Sequence, residues 1–166
     1  MNETKEMRKE FKALGWNSKV IGVRYTRSGS IDVTVKSASV NFAHAKAIAK
    51  KYQDFQRCHY TNEILSGGNT FVFVNLSKEA EIELAARYIE AVENVVEQMP
   101  WGTSQQFKVT ENAYIGTPSK FAGDPTMTLW IDGSHESQYY NDDTGFGVQG
   151  IAVAIALHDE DQTFTK

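Results

Sequence analysis

The chain has 166 residues, 41% of them hydrophobic and 11% aromatic, which suits one folded domain with a proper core and excludes an intrinsically disordered chain. No apolar run approaches the roughly 20 residues that cross a bilayer. The lone Cys58 excludes an internal disulfide and a cysteine-based zinc cluster within one chain. The net charge of −4 is unevenly divided: residues 1–100 hold 14 Lys+Arg against 12 Asp+Glu, and residues 101–166 hold 3 against 9.

An acidic last third disfavours nucleic-acid backbone and favours basic partners, or else forms a solvated edge that aids solubility. The opening MNETKEMRKE is charged and polar, unlike a secretion signal, so a cytoplasmic location is expected.

In chain order, NETKEMRKEFKAL has helical spacing, with Met7, Phe11 and Leu14 on one face and Gly15 as the stop. KVIGVRYT and SIDVTVK are rich in β-branched and aromatic residues. Ile31, Val33 and Val35 alternate with Asp32, Thr34 and Lys36, the pattern of a half-buried strand. Arg27-Ser28-Gly29-Ser30 between them has turn chemistry, which predicts an antiparallel hairpin. A second helix over NFAHAKAIAKKYQDF is capped by Asn41 and turns Ala45, Ile48, Ala49 and Tyr52 to the core.

Thr70 to Val74 form the best strand pattern in the chain. Ser66-Gly67-Gly68-Asn69 precedes this strand and lacks the Lys of a phosphate loop, so the glycines are expected in a turn. Ser77 caps a third helix, running to about Gln98 along an apolar face that includes Leu84, Tyr88, Val92 and Met99, with Pro100 as the exit. QQFKVTENAYIG and TMTLWID are expected strands and DGSHESQYYNDDTGFG a polar loop; VQGIAVAIALHD fits either a buried strand or a short helix, and Val148, Ile151, Val153 and Ile155 favour the strand. The expected fold is a single α+β domain over 1–166: a mostly antiparallel sheet with about three helices packed on one face. The seam the sequence offers lies at 100–102, before an acidic, β-rich part at 101–166.

No motif names an enzymatic activity. The four histidines lack zinc-site spacing, and Cys58-His59 are adjacent residues, which usually point apart. The acidic loop does not follow calcium-loop spacing. No catalytic residue, metal or cofactor is therefore expected. Asp132, Glu136, Asp142 and Asp143 in that loop, with Tyr139 and Tyr140 as aromatic anchors, form the expected partner-binding surface. A second surface suits nucleic acid: Arg24 and Arg27 on the hairpin and Lys50 on the second helix, although the chain as a whole is acidic.

The stretches SGSIDVTV, AIAKKYQDF and SGGNTFVFVN, with the order of elements around them, resemble the large polyvalent protein-associated domain, class twenty-nine, of phage and conjugative-element proteins. The resemblance spans roughly residues 5–77 and rests on Ser30, Ile31, Asp32 and Val33, then Tyr52, then Gly67 and Gly68. The chain departs from the family pattern at Val35-Lys36-Ser37-Ala38 and at Gln56-Arg57-Cys58-His59. The resemblance implies a mobile-element context, in which such proteins are suspected of blunting host defence, and it carries over no catalytic residues.

These readings lead to an expected function: a non-enzymatic phage or mobile-element accessory protein. Its acidic surface would bind and inhibit a host protein such as a CRISPR or restriction component. The alternative is a nucleic-acid-binding module using the basic hairpin and second helix.

Overall fold

The computed structural model describes residues 2–55, 57–61, 63–64, 69–100, 105–116, 126–131, 139–141 and 147–165. Its contacts divide the chain into two compact units, Met1–Glu81 with Phe164–Lys166, and Ile82–Thr163. The division falls between Glu81 and Ile82.

The first unit is built on helix α1 (Glu3–Ala13), strands β1 (Ile21–Tyr25) and β2 (Ile31–Val35), helix α2 (Phe42–Lys50) and strand β3 (Val72–Leu76). Met7 and Phe11 are buried, as their spacing predicts, but Leu14 is 44% exposed because it is the C-cap, where the helical period ends. Gly15 at φ 81° then closes the helix. The Trp16 N–H donates to the Phe11 carbonyl and the Gly15 N–H to the Lys12 carbonyl, the paired bonds of a Schellman motif. Trp16 packs on Phe11 at 6.0 Å between ring centroids, the hydrophobic contact that accompanies this motif.

The hairpin forms as expected, with Val23 opposite Val33. Its turn is tied by hydroxyls: Thr26 Oγ1 lies 2.7 Å from Ser30 Oγ and 2.8 Å from Ser28 Oγ, and Gly29 takes φ 86°. Strand β3 pairs parallel to β2, with Val33 opposite Val74, and α2 lies in the crossover that a parallel pair requires. Asn41 caps α2 by accepting from the His44 N–H at 2.8 Å.

Ile31, Val33 and Val35 of the central strand are fully buried among Met7, Phe11, Ile48 and Ala49. Each such side chain contributes roughly 1.5–3 kcal/mol on burial. Tyr52 joins the two helices: its hydroxyl donates to Glu10 at 2.6 Å, and Lys51 donates to the other oxygen of Glu10 at 3.0 Å. Gly67 and Gly68 lie outside the described residues.

The helix expected from Ser77 to Gln98 is two helices, α3 (Lys78–Ala85) and α4 (Ile89–Gln98). Ser77 does cap the first, accepting from the Ala80 N–H at 3.3 Å. No glycine or proline marks the break. The Arg87 and Tyr88 N–H groups instead donate to Leu84 and Ala85, three residues back, and Tyr88 leaves helical geometry at φ −133°. Both side chains at the break are taken by a distant segment: the Tyr88 hydroxyl donates to Asp159, and Arg87 donates to Glu160 at 3.1 Å.

That segment is helix α5 (Gly147–Thr165), which corrects the expected closing strand. The β-branched residues alternate, but burial follows another period, with Ile151, Ala152, Ile155 and Ala156 buried in i, i+4 pairs. The alternating alanines supply the helix propensity.

In the second unit, β4 (Gln106–Lys108), β5 (Ala113–Gly116), β6 (Thr126–Ile131) and β7 (Tyr139–Asn141) form an antiparallel sheet in that order. Ile115, Met127 and Leu129 share one core with Val92 of α4 and Ile151 and Ile155 of α5. The α+β class thus holds, while the single sheet with about three helices is replaced by two sheets and five helices among the described residues. Strand β7 also lies inside the segment expected to be a loop.

Two substitutions test this packing. Tyr52 and then Lys51 hold the Glu10 carboxyl below its usual 4.5, and burial pushes the Tyr52 hydroxyl up to about 12. A carboxyl depressed by folding contributes stability that is present above pH 4.5 and is lost as pH falls through its lowered folded value. Tyr52→Phe is expected to lower stability at neutral pH by about 0.5–1.5 kcal/mol. It should also raise the Glu10 titration midpoint toward 4.5, read by NMR, and reduce the loss of stability on acidification. In the second unit, a Cβ on Gly116 would stand 2.8 Å from both the Gln105 carbonyl oxygen and the Trp130 ring. Gly116→Ala should cost about 1–3 kcal/mol in urea denaturation, because a backbone atom must move.

Candidate functional site

Among the residues expected to bind a partner, Asp132, Glu136, Asp142 and Asp143 lie outside the described residues. Tyr139 and Tyr140 are placed by their backbone in β7, where they pair with Thr128 and Met127, and their side chains lie outside the description. The described part of the second unit has its own acidic row. Glu90, Glu93 and Glu97 are exposed at i, i+3 and i+7 of α4, on the side away from buried Val92.

The nucleic-acid set divides. Arg24 is exposed on β1, and Arg27 is exposed in the turn that ends the hairpin. Lys50 is exposed on α2, the helix that covers the opposite, buried face of the sheet. Strand alternation therefore sets Arg24 and Lys50 on opposite sides of the first unit.

The face that carries Arg24 is a surface of distinct composition. Because Val72, Val74 and Leu76 of β3 pack inward with the β2 core, Phe71, Phe73 and Asn75 point outward. Phe73 is 52% exposed and Phe71 36%. One row across the sheet runs Arg24, Asp32, Phe73, and the next runs Gly22, Thr34, Asn75. Lys36 lies across Gly22, its Cε 3.1 Å from where a Cβ would stand, and its ammonium donates to the Ser18 carbonyl at 3.0 Å. Beside the start of β3, Phe55 stacks on Phe71 with rings 6.2 Å apart and 14° from parallel. The Arg57 guanidinium lies 4.9 Å from the centre of the Phe55 ring, a cation–π contact. Asp54 bridges to Thr70 by reciprocal backbone hydrogen bonds, which brings these two aromatic segments together.

The sequence carried a signal for this face. FVFVNL reads as a buried run, but polar Asn75 is in phase with Phe71 and Phe73, so those phenylalanines share the outward parity. Arg57 and Phe55 carried no such signal, since they reach the face through long-range pairing.

Charge follows the division into units. Met1–Glu81 with Phe164–Lys166 holds 14 Lys+Arg against 8 Asp+Glu, a net +6, and Ile82–Thr163 holds 3 against 13, a net −10. The overall acidity of the chain thus hides a basic unit that bears the aromatic face.

The cysteine and histidine side chains have other surroundings. Hydrogen bonds from the Thr61 hydroxyl, and then from the Thr61 and Tyr60 backbone, lower the Cys58 thiol below its ordinary value, and adjacent His59 is exposed. His44 meets the Trp16 ring edge-on at 5.2 Å. Among the described residues, no three His, Cys, Asp or Glu side chains stand together as a metal site would need. No helix among them is long and apolar enough to cross a membrane.

No protein-family model, curated protein or solved structure matches the chain.

Proposed function

We propose that the protein is a non-enzymatic binding module that engages nucleic acid through its basic first unit, with Arg24 and Arg27 meeting the phosphate backbone. The observation that carries this reading is the division of charge, +6 against −10, along the line where the fold itself divides. A compact basic unit presents a local positive field that attracts a polyanion. The resemblance over residues 5–77 supports a mobile-element setting for such binding.

A second reading, an accessory protein that inhibits a basic host defence component, draws on the acidic second unit and the Glu90, Glu93, Glu97 row of α4. Asp142 and Asp143 belong to the same acidic unit in sequence.

Fluorescence anisotropy with labelled DNA and RNA at increasing salt separates the two readings. Nucleic-acid binding is expected to weaken steeply with salt. Arg24→Glu with Arg27→Glu should lower affinity roughly tenfold or more and make the log–log salt slope shallower by about 1–2. Lys50→Glu, on the other side of the unit, should do less. If no binding appears even at low salt, the nucleic-acid reading fails. Inhibition of a basic host protein that is lost on reversing Glu90, Glu93, Asp142 and Asp143 to Lys would then establish the second.

A further inference from the structure

We infer that the outward face of the β1–β2–β3 sheet is a stacking platform for unpaired bases, so that the nucleic acid it takes is single-stranded. This deepens the nucleic-acid reading above and rests on it.

The argument starts from Phe73. On a sheet with one face packed on a core, the other face is ordinarily polar, and Gly22, Thr34 and Asn75 follow that rule. Phe73 breaks it at 52% exposure, and Phe71 and Phe55 extend the same apolar surface beside β3. Phe71, just before β3, and Phe73 within it stand two positions apart in extended chain, roughly 7 Å, and offer exposed π faces on the same side of the sheet. Every base has a matching π face, but in a duplex those faces are already covered by neighbouring base pairs, so only an unpaired base can stack on protein.

The charges around the rings fit a strand lying across the sheet. Arg24 stands two strands from Phe73 in the same row, roughly 10 Å away. Lys36 lies over Gly22 on the far strand, and Arg57 sits over Phe55 at the other margin. Cations therefore border the aromatic surface on both sides, where a backbone passing over it would place its phosphates. Asp32, between Arg24 and Phe73, is an acceptor-only carboxylate. It repels phosphate from the middle of the face and suits an exocyclic amine of a base. An apolar protein partner would leave Arg24, Asp32 and Lys36 to be desolvated, whereas a nucleotide meets each with complementary chemistry.

The test uses the full chain and labelled mixed-sequence oligonucleotides of about 15 nucleotides, as single strands and as the matching duplex. Single strands are expected to bind at least about tenfold more tightly than duplex at about 0.1 M salt. Phe73→Ala should weaken single-strand binding roughly 5- to 100-fold and leave duplex binding nearly unchanged, and Phe73→Trp should retain it. The circular dichroism and melting of each variant serve as the folding control, and Phe73 is exposed enough for both to stay close to the parent. Equal or tighter duplex binding, with Phe73→Ala silent, overturns the stacking inference while leaving the backbone-binding reading intact. Binding of neither form overturns both. A chain that is dimeric by light scattering, becomes monomeric with Phe73→Ala and binds no single strand identifies the face as a contact between two copies and overturns the inference.

Discussion

The first unit depends on one constraint, the two-residue period of its central strand. Ile31, Val33 and Val35 have neighbours on both sides in the sheet and two helices over one face, so their burial holds α1, β1, β3 and α2 together. A strand that commits its odd positions to a core must commit its even ones outward. The register then carries that choice to the neighbours, sending Arg24 and Phe73 to the same side as Asp32. The proposed nucleic-acid surface is the reverse of the core, aligned by the same backbone ladder.

The devices around this core are local and mostly polar. A Schellman motif ends α1, a hydroxyl cluster closes the hairpin, and Asn41 starts α2. Tyr52, one of the residues that carry the family resemblance, binds Glu10 across the two helices. That contact accounts for a tyrosine at the end of α2 by structure alone. The exposed Lys51–Glu10 pair beside it adds little, since surface ion pairs contribute at most about 1 kcal/mol. Ile31, Val33 and Tyr52 of the resemblance thus belong to the core side of the sheet, whereas Asp32 stands on the outward face.

The second unit distributes its stabilisation differently. Its helices meet the sheet through an apolar core, but the bend between α3 and α4 is held by carboxylates of α5, with Asp159 accepting from Tyr88 and Glu160 from Arg87. Glu160 is buried, so loss of Arg87 would remove a hydrogen-bonded countercharge from a carboxylate held away from water. These contacts consume acidic residues that the sequence alone would assign to a solvated or partner-facing surface, leaving Glu90, Glu93 and Glu97 as the acidic row on α4.

What could be read directly from the residues was local in origin. The hairpin, α1, α2 and the cap at Ser77 each follow from a pattern contained within a few residues: alternation, a glycine stop, a polar cap. The tertiary fold settled what depended on distant partners. Residues 147–165 form a helix because their buried positions face a sheet and α4 at helical spacing, although the β-branched alternation there equally fits a strand. The helix after Ser77 breaks because α5 draws Tyr88 and Arg87 out of line. The outward aromatic face needed both kinds of information. Asn75 marks the parity of Phe73 in the sequence, but only pairing between β1, β2 and β3 brings Arg24 into its row, because register is a property of two strands and never of one.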